Sequence, residues 1–205
     1  FNLLEGLKLN LFGAYTYNIV ENSQYLPTSV WANGQAYKGT KKRESLLGNM
    51  MLTYKKNWKK HFFDVLALAE LQKETYTGYY TTVSNFSTDK FGYNNLQAGA
   101  LRLWEGTNSY YDQPRLASFM GRFNYTYADR YVLTLNARTD ASSKFGANHK
   151  WGFFPSASAA WVISEEEFMK QLPMVDNLKF RIGYGLAGNQ SGIDSYTTLN
   201  LVKPN

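Results

Sequence analysis

The sequence predicts an all-β fold, an antiparallel sheet that forms part of a transmembrane β-barrel. Three observations predict it: seven segments alternate apolar and polar residues, their polar faces are too charged for an ordinary core, and the connections sort by length. Residues 116–139 carry the pattern most clearly. Ala117, Phe119, Gly121, Phe123, Tyr125 and Tyr127 fall on one parity, and Ser118, Met120, Arg122, Asn124 and Thr126 on the other. After Ala128-Asp129-Arg130 the alternation resumes, with Tyr131, Leu133, Leu135, Ala137 and Thr139 against Val132, Thr134, Asn136, Arg138 and Asp140. Each run has about ten residues, the length a tilted membrane-crossing strand requires. Strands of soluble sandwiches are shorter, about 5–6 residues.

The other segments follow in chain order. Residues 7–17 place Leu7, Leu9, Leu11, Gly13, Tyr15 and Tyr17 on one face. Residues 45–54 place Leu46, Gly48, Met50, Leu52 and Tyr54 outward. Residues 62–72 set Phe63, Val65, Ala67, Ala69 and Leu71 against Asp64, Glu70 and Gln72. Residues 153–162 set Pro155, Ala157, Ala159 and Trp161 against Ser156 and Ser158. Residues 178–186 set Leu178, Phe180, Ile182, Tyr184 and Leu186 against Lys179, Arg181 and Gly183. Mid-strand charges such as Arg122, Arg138 and Arg181 must face water or a partner. A water-filled or plugged barrel lumen supplies that, as does a sheet wet on one side.

The connections at residues 18–44 and 73–115 are long, whereas those at 55–61 and 128–130 are short. Outer-membrane barrels show this asymmetry, with long extracellular loops and short periplasmic turns. The link at 163–177 is expected to hold one short periplasmic helix. Ser164 followed by Glu167 has capping-box spacing, Phe168, Met169 and Leu172 share a helical face, and Pro173 stops the run. Aromatics gather at segment ends: Tyr54, Tyr125, Tyr127, Tyr131, Trp161 and Phe180 near the short turns, Tyr15, Tyr17 and Tyr184 near the long loops. Two such belts are what membrane interfaces select.

Composition agrees. Aromatic residues make up 17% of the 205, led by 16 Tyr and 13 Phe. The mean hydropathy of −0.43 looks soluble, but barrel strands are polar at every second position and evade such averages. There is no cysteine, which removes disulfides and thiolate chemistry together. No run of 18 apolar residues offers a transmembrane helix. The net charge is +6, dispersed except for Lys55, Lys56, Lys59 and Lys60, which read as a solvated turn rather than a nucleic-acid patch. The chain opens in mid-pattern without an initiating Met and reads as a piece of a longer protein.

Residues for catalysis are not legible. His61 and His149 stand far apart and read as polar loop residues, and no His/Asp/Glu cluster has metal-ligand spacing. Gly183-Tyr184-Gly185-Leu186-Ala187-Gly188 echoes a dinucleotide fingerprint, but no βαβ unit surrounds it. No metal, cofactor or covalent chemistry is expected. The most site-like region is 73–115, where Tyr76, Tyr79, Tyr80, Trp104, Tyr110 and Tyr111 interleave with Thr, Asn, Ser and Gly. It suits contact with sugars, peptides or a lid protein, and equally a folded loop packing on its own aromatics. The polar-face residues Arg122, Arg138, Asp140, Lys179 and Arg181 are expected to face the lumen or a plug.

Four stretches in order carry a resemblance: Phe119–Tyr125 through Asp129-Arg130-Tyr131-Val132-Leu133; Arg138-Thr139-Asp140-Ala141-Ser142-Ser143-Lys144-Phe145-Gly146; Lys150-Trp151-Gly152-Phe153-Phe154-Pro155-Ser156-Ala157; and Leu178-Lys179-Phe180-Arg181 with Tyr184-Gly185 and Gly188-Asn189-Gln190. Together they resemble SusC/RagA-type TonB-linked outer-membrane proteins. Residues 1–115 match only in general style. Ala141 stands where that family usually has glycine, and Lys144 and Lys150 replace common arginines.

The resemblance implies an outer-membrane importer of oligosaccharides or peptides in a Bacteroidota-like cell. TonB energises such importers, and a SusD-like surface lipoprotein caps them. Residues 1–205 would then be the middle of the barrel, about seven of roughly 22 strands, with plug domain and terminal strands elsewhere. The competing reading is a soluble or surface-attached β-rich carbohydrate-binding module.

Overall fold

The computed structural model describes residues 1–146, 150–169 and 174–189. His149, Leu172, Pro173 and Gln190 lie outside them. The elements are β1 (Asn2–Leu4), β2 (Leu7–Leu26), β3 (Gln35–Trp58), β4 (His61–Phe86), β5 (Gly99–Arg102), β6 (Asn108–Asp112), β7 (Arg115–Tyr127), β8 (Tyr131–Ser142), β9 (Trp151–Val162) and β10 (Lys179–Gly185). They make one sheet in the order β1-β2-β3-β4-β7-β8-β9-β10, with β5 and β6 also pairing with β4. The sheet is antiparallel and does not close on itself among the described residues. All seven expected segments are strands.

Contacts divide the chain into two units, Phe1–Ala14 with Leu47–Gln72 and Arg115–Asn205, and Tyr15–Leu46 with Lys73–Pro114.

In the first unit the register decides the faces. One row across β7, β8, β9 and β10 is Tyr127, Tyr131, Trp161, Phe180; further rows are Tyr125, Leu133, Ala159, Ile182 and Phe123, Leu135, Ala157, Tyr184. The alternate rows are Arg122, Asn136, Ser156 and Asn124, Thr134, Ser158. One face is therefore apolar and the other polar, as alternation requires. Among the described residues the apolar face has no cover: Leu135 is 43% exposed, Phe153 63% and Ile182 64%. Among the described residues the only buried hydrophobic side chain of this unit is Met169.

Two connections of this unit are tight. The strands on either side of Lys59 and Lys60 leave only those two residues between them, and Lys59 is left-handed (φ 55°). Ala128 (φ 52°) and Asp129 (φ 58°) are both left-handed, and the Arg130 N–H closes the turn on the Tyr127 carbonyl at 3.0 Å. That backbone matches the twist of paired strands.

The expected helix at 163–177 begins differently. Its first residues are a single 3-10 turn, Ile163–Glu165, with no side-chain cap. The capping-box residue Glu167 instead lies 3.5 Å from Arg130 Nη2, and its neighbour Glu166 gathers three partners across the turn. The Glu166 carboxylate accepts from Tyr131 Oη at 2.7 Å, Trp161 Nε1 at 3.0 Å and Arg130 Nη1 at 2.9 Å. The Tyr131 bond leads the effects that hold its pKa below the ordinary carboxylate value. Ala141 raises no strain: it sits in the ladder opposite Ala117 and Trp151, outside the left-handed region.

The second unit revises the loop lengths. Residues 18–26 continue β2 and 35–44 continue β3, so the 18–44 connection shrinks to 27–34. Residues 73–86 continue β4, and β5 and β6 fold back to pair with it. A small core closes this unit: Ala36, Val83 and Phe86 are buried, packed by Tyr25, Leu96 and Ala98.

Candidate functional site

The six aromatics of 73–115 are distributed by the β4–β6 ladder, where Tyr76 faces Asp112, Gly78 faces Tyr110 and Tyr80 faces Asn108. Tyr76, Tyr80 and Tyr110 therefore share one face, while Tyr79 and Tyr111 share the other. Trp104 belongs to neither ladder and stands 90% exposed in the β5–β6 turn. The six do not form one patch.

The Tyr76 face is the more organised. Arg43 Nη2 donates to Glu74 at 2.6 Å, and its guanidinium lies 5.6 Å from the centroid of the Tyr76 ring. The Tyr76 hydroxyl donates to the other Glu74 oxygen. Tyr37 and Tyr80 stack with centroids 5.9 Å apart. A side chain at Gly78 would meet the Tyr110 hydroxyl at 2.6 Å and the Thr40 carbonyl at 2.7 Å, so the bare Cα is what lets the Tyr110 ring lie there. Flat aromatic rings beside a held ion pair can stack on apolar faces and hydrogen-bond polar ones. On the opposite face Gln113 Nε2 donates to Tyr111 Oη at 2.8 Å, and Tyr79 and Tyr111 are 57% and 58% exposed. Trp104 borders a separate hollow of about 420 Å³ with Arg102, Gln97, Thr81 and Thr107.

An acid-held clasp ties this unit together. One oxygen of Asp89 accepts from Tyr25 Oη at 2.6 Å and the Thr28 N–H at 3.1 Å, and the other from Thr28 Oγ1 at 2.8 Å. The Tyr25 bond first, then those from Thr28, lower the Asp89 pKa below 3.8. The same bond first, with burial and the carboxylate's charge, pushes the Tyr25 phenol up to about 12. A depressed carboxylate stabilises the fold above its unfolded pKa and loses that contribution as pH falls through its folded one. A raised phenol contributes below pH 10.0 and loses its share as pH rises through about 12. The clasp should contribute fully from about pH 4 to about pH 10 and fade outside that range, opening as pH falls through the lowered Asp89 value or rises through about 12. Hydrogen exchange at the Thr28 amide checks this, and protection unchanged down to about pH 2 contradicts it.

The polar-face residues are found as two groups. Arg122, Lys179 and Arg181 line one depression of about 350 Å³ with Asn124, Thr134, Asn136 and Ser158. Arg122 Nε donates to Asn136 Oδ1 at 3.1 Å, and Asn136 Nδ2 to Ser156 Oγ at 3.0 Å. Arg138 instead grips Asp140, with Nε 2.9 Å from each carboxylate oxygen, and donates from Nη2 to the buried Ser118 Oγ at 3.1 Å. The first group therefore presents excess positive charge to the space beside the sheet, and the second is nearly self-neutralised. Sequence reading missed Arg43, Glu74 and Ser118, because no local pattern brings residues of different strands together. Parity along β4 and β8 was the one available signal.

A family model described as TonB dependent receptor-like, beta-barrel, matches residues 1–205. TonB-dependent receptor P3 of Formosa agariphila is 32% identical over 97% of this chain and 20% of its own length. TonB-dependent receptor SusC of Bacteroides thetaiotaomicron is 30% identical over 98% of this chain and again 20% of its own length. The chain thus spans about a fifth of these curated relatives. Among solved structures, that of the RagAB peptide transporter superposes with a TM-score of 0.86 at 22% identity, over 98% of this chain and 23% of the other, a likeness of fold.

Proposed function

The chain belongs to the TonB-dependent receptor-like β-barrel family, and on that premise we propose that it is the middle part of the wall of an outer-membrane nutrient importer. The uncovered apolar face runs from the Tyr127–Tyr131–Trp161–Phe180 row up to Trp151 opposite Ala141. Ten residue steps separate Tyr131 from Ala141. At about 3.3 Å per residue and a tilt of about 40° they cover roughly 25 Å, the height of the apolar band of such barrels. A soluble carbohydrate-binding module would hold that whole face in water.

On this reading the short turns are periplasmic and the second unit is extracellular. Arg122, Lys179 and Arg181, with the Arg138–Asp140 pair, face the lumen and a plug carried elsewhere in the protein. Positive charge there suits an acidic plug surface or a passing anion. Energy comes from TonB through that plug, and a SusD-like lipoprotein closes the outside. The cargo is an oligosaccharide or a peptide. The Tyr76–Tyr80–Tyr110 face with Arg43 and Glu74 is the proposed contact for ligand or lid. The names of the relatives SusC and RagAB peptide transporter support the importer class, and the reaction is binding and gated passage without a covalent step.

Spin labels at Phe123 and Asn124 of the full-length receptor in bilayers test the wall. The Phe123 label should be reached by lipid-dissolved oxygen and the Asn124 label by a water-soluble quencher. Equal accessibility of both labels to lipid would sink the assignment.

A further inference from the structure

We infer that the first unit carries a binding site for an anionic phospholipid of the periplasmic leaflet, made by the lysine turn, an aromatic shelf beside it and a groove above it. The inference rests on the membrane reading above. Tyr54, Lys56 and Trp58 occupy one parity of β3, the outward one that also carries Leu52 and Met50. Trp58 is 61% exposed and stacks on His61 with centroids 5.5 Å apart. His61 in turn contacts Tyr125, Nδ1 to Oη 2.7 Å, and lies 5.0 Å from the Tyr127 ring. Rings that are oily on their faces and polar at one edge are what the headgroup level selects.

The charges around this shelf are unbalanced. Lys55 pairs with Asp64 at 3.4 Å. Lys56, Lys59 and Lys60 are exposed and make no ion pair among the described residues. The flanking turns touch this one through backbone, Lys55 N to Gly6 O at 2.8 Å and Ala128 N to Lys60 O at 2.7 Å. They bring Glu5 and Asp129 nearby, fewer than the three free lysines. Long lysine side chains reach from an apolar shelf to a phosphate while the stems stay packed. Each strengthens the attraction for an anionic leaflet. A second copy of the chain would bring its own lysines against these, like charge on like, so the charge favours a lipid.

Above the shelf the outward wall is hollow. Small residues on β4, β7 and β8 (Ala67, Ala69, Gly121, Ala137) leave a groove of about 420 Å³ flanked by Met50 and Phe153. A Cβ added at Gly121 would meet no atom of the described residues within 4 Å. From Tyr127 up to Gly121 the strand rises about 15 Å along the membrane normal, within reach of a phospholipid acyl chain whose headgroup sits at the turn.

The test titrates full-length receptor, purified in detergent, with phosphatidylglycerol and separately with phosphatidylcholine, counting bound lipid by native mass spectrometry. Wild type should retain phosphatidylglycerol in preference. Lys56→Gln, Lys59→Gln and Lys60→Gln together should weaken phosphatidylglycerol binding roughly tenfold or more and leave phosphatidylcholine unchanged. Gly121→Leu should weaken both by filling the groove. Equal affinity of wild type for the two lipids, or an unchanged preference in the triple variant, overturns the headgroup site. Unchanged binding in Gly121→Leu overturns the groove as the chain's seat. So does a receptor dimer that shields this wall from lipid. Heat-modifiable migration of each variant confirms a folded barrel; a wild type that never inserts into bilayers would overturn the membrane reading itself.

Discussion

Replacing Leu135 with Arg should cost the full-length receptor about 2–4 kcal/mol of stability in a bilayer, while the same change one residue earlier, at Thr134, should cost less than about 1 kcal/mol. Leu135 lies between Phe123 and Ala157 on the uncovered apolar face and is 43% exposed. It is near the middle of the band, so a guanidinium there has neither water nor a partner. Thr134 lies on the polar face, in the depression shared with Arg122 and Arg181. Water screens the added repulsion there. Denaturant unfolding of receptor refolded into vesicles measures both. If the two variants lose equal stability, the face assignment is wrong.

Gly6→Val should be nearly as damaging, for a different reason. Gly6 holds φ +81°, and a Cβ there would stand 2.2 Å from the carbonyl oxygen of Lys55. That oxygen is backbone and cannot swing aside. The Gly6 carbonyl also accepts the Lys55 N–H at 2.8 Å, which fixes the separation of the two segments. Left-handed strain of about 1–2 kcal/mol adds to overpacking of about 1–3 kcal/mol, for a loss of about 3 kcal/mol. Gly13→Val is the control: no atom of the described residues lies within 4 Å of its would-be Cβ. A β-branched residue in that strand should be neutral or mildly stabilising. The fraction of each variant reaching the heat-modifiable folded form distinguishes them, and equal yields would refute the role given to the Gly6 turn.

The apolar face of the sheet is readable from the sequence because the lipid it faces on the proposed reading enforces parity there. Every second residue from Phe119 to Tyr127 and from Tyr131 to Ala137 had to be apolar or small, and the register pairs those residues with each other. No such force acts on residues 73–86. Thr75, Thr77 and Tyr79 alternate with Glu74, Tyr76 and Tyr80, so both faces of this part of β4 are mixed and the stretch resembles a loop in sequence. The same holds for Ile19, Val20, Glu21 and Asn22 in β2, where all four are exposed. Ser164 and Glu167 have the spacing of a capping box, but the pattern ignores that Arg130 draws Glu167 and, with Tyr131 and Trp161, holds the adjacent Glu166 across the turn. The candidate site divided in the same way. Parity placed the polar-face residues on one side, yet only pairing across strands shows that Arg138 is spent on Asp140 and Ser118 while Arg122 stands with Lys179 and Arg181.

The return of β5 and β6 onto β4 has a consequence for how fast the sheet can assemble. Without it, pairing β4 with β7 would close a floppy excursion of 28 residues between Phe86 and Arg115. Val83 paired with Arg102, then Tyr80 with Asn108 and Tyr76 with Asp112, walk the chain back along β4, and the Glu74 N–H meets the Pro114 carbonyl at 3.0 Å. Arg115, the first residue of β7, is the next in sequence. A closure over a few residues in place of 28 lowers the entropic barrier by about 2 kcal/mol, roughly thirtyfold in rate. The β5–β6 extension, whatever it binds, thereby acts as a zipper that delivers the second half of the chain to the first.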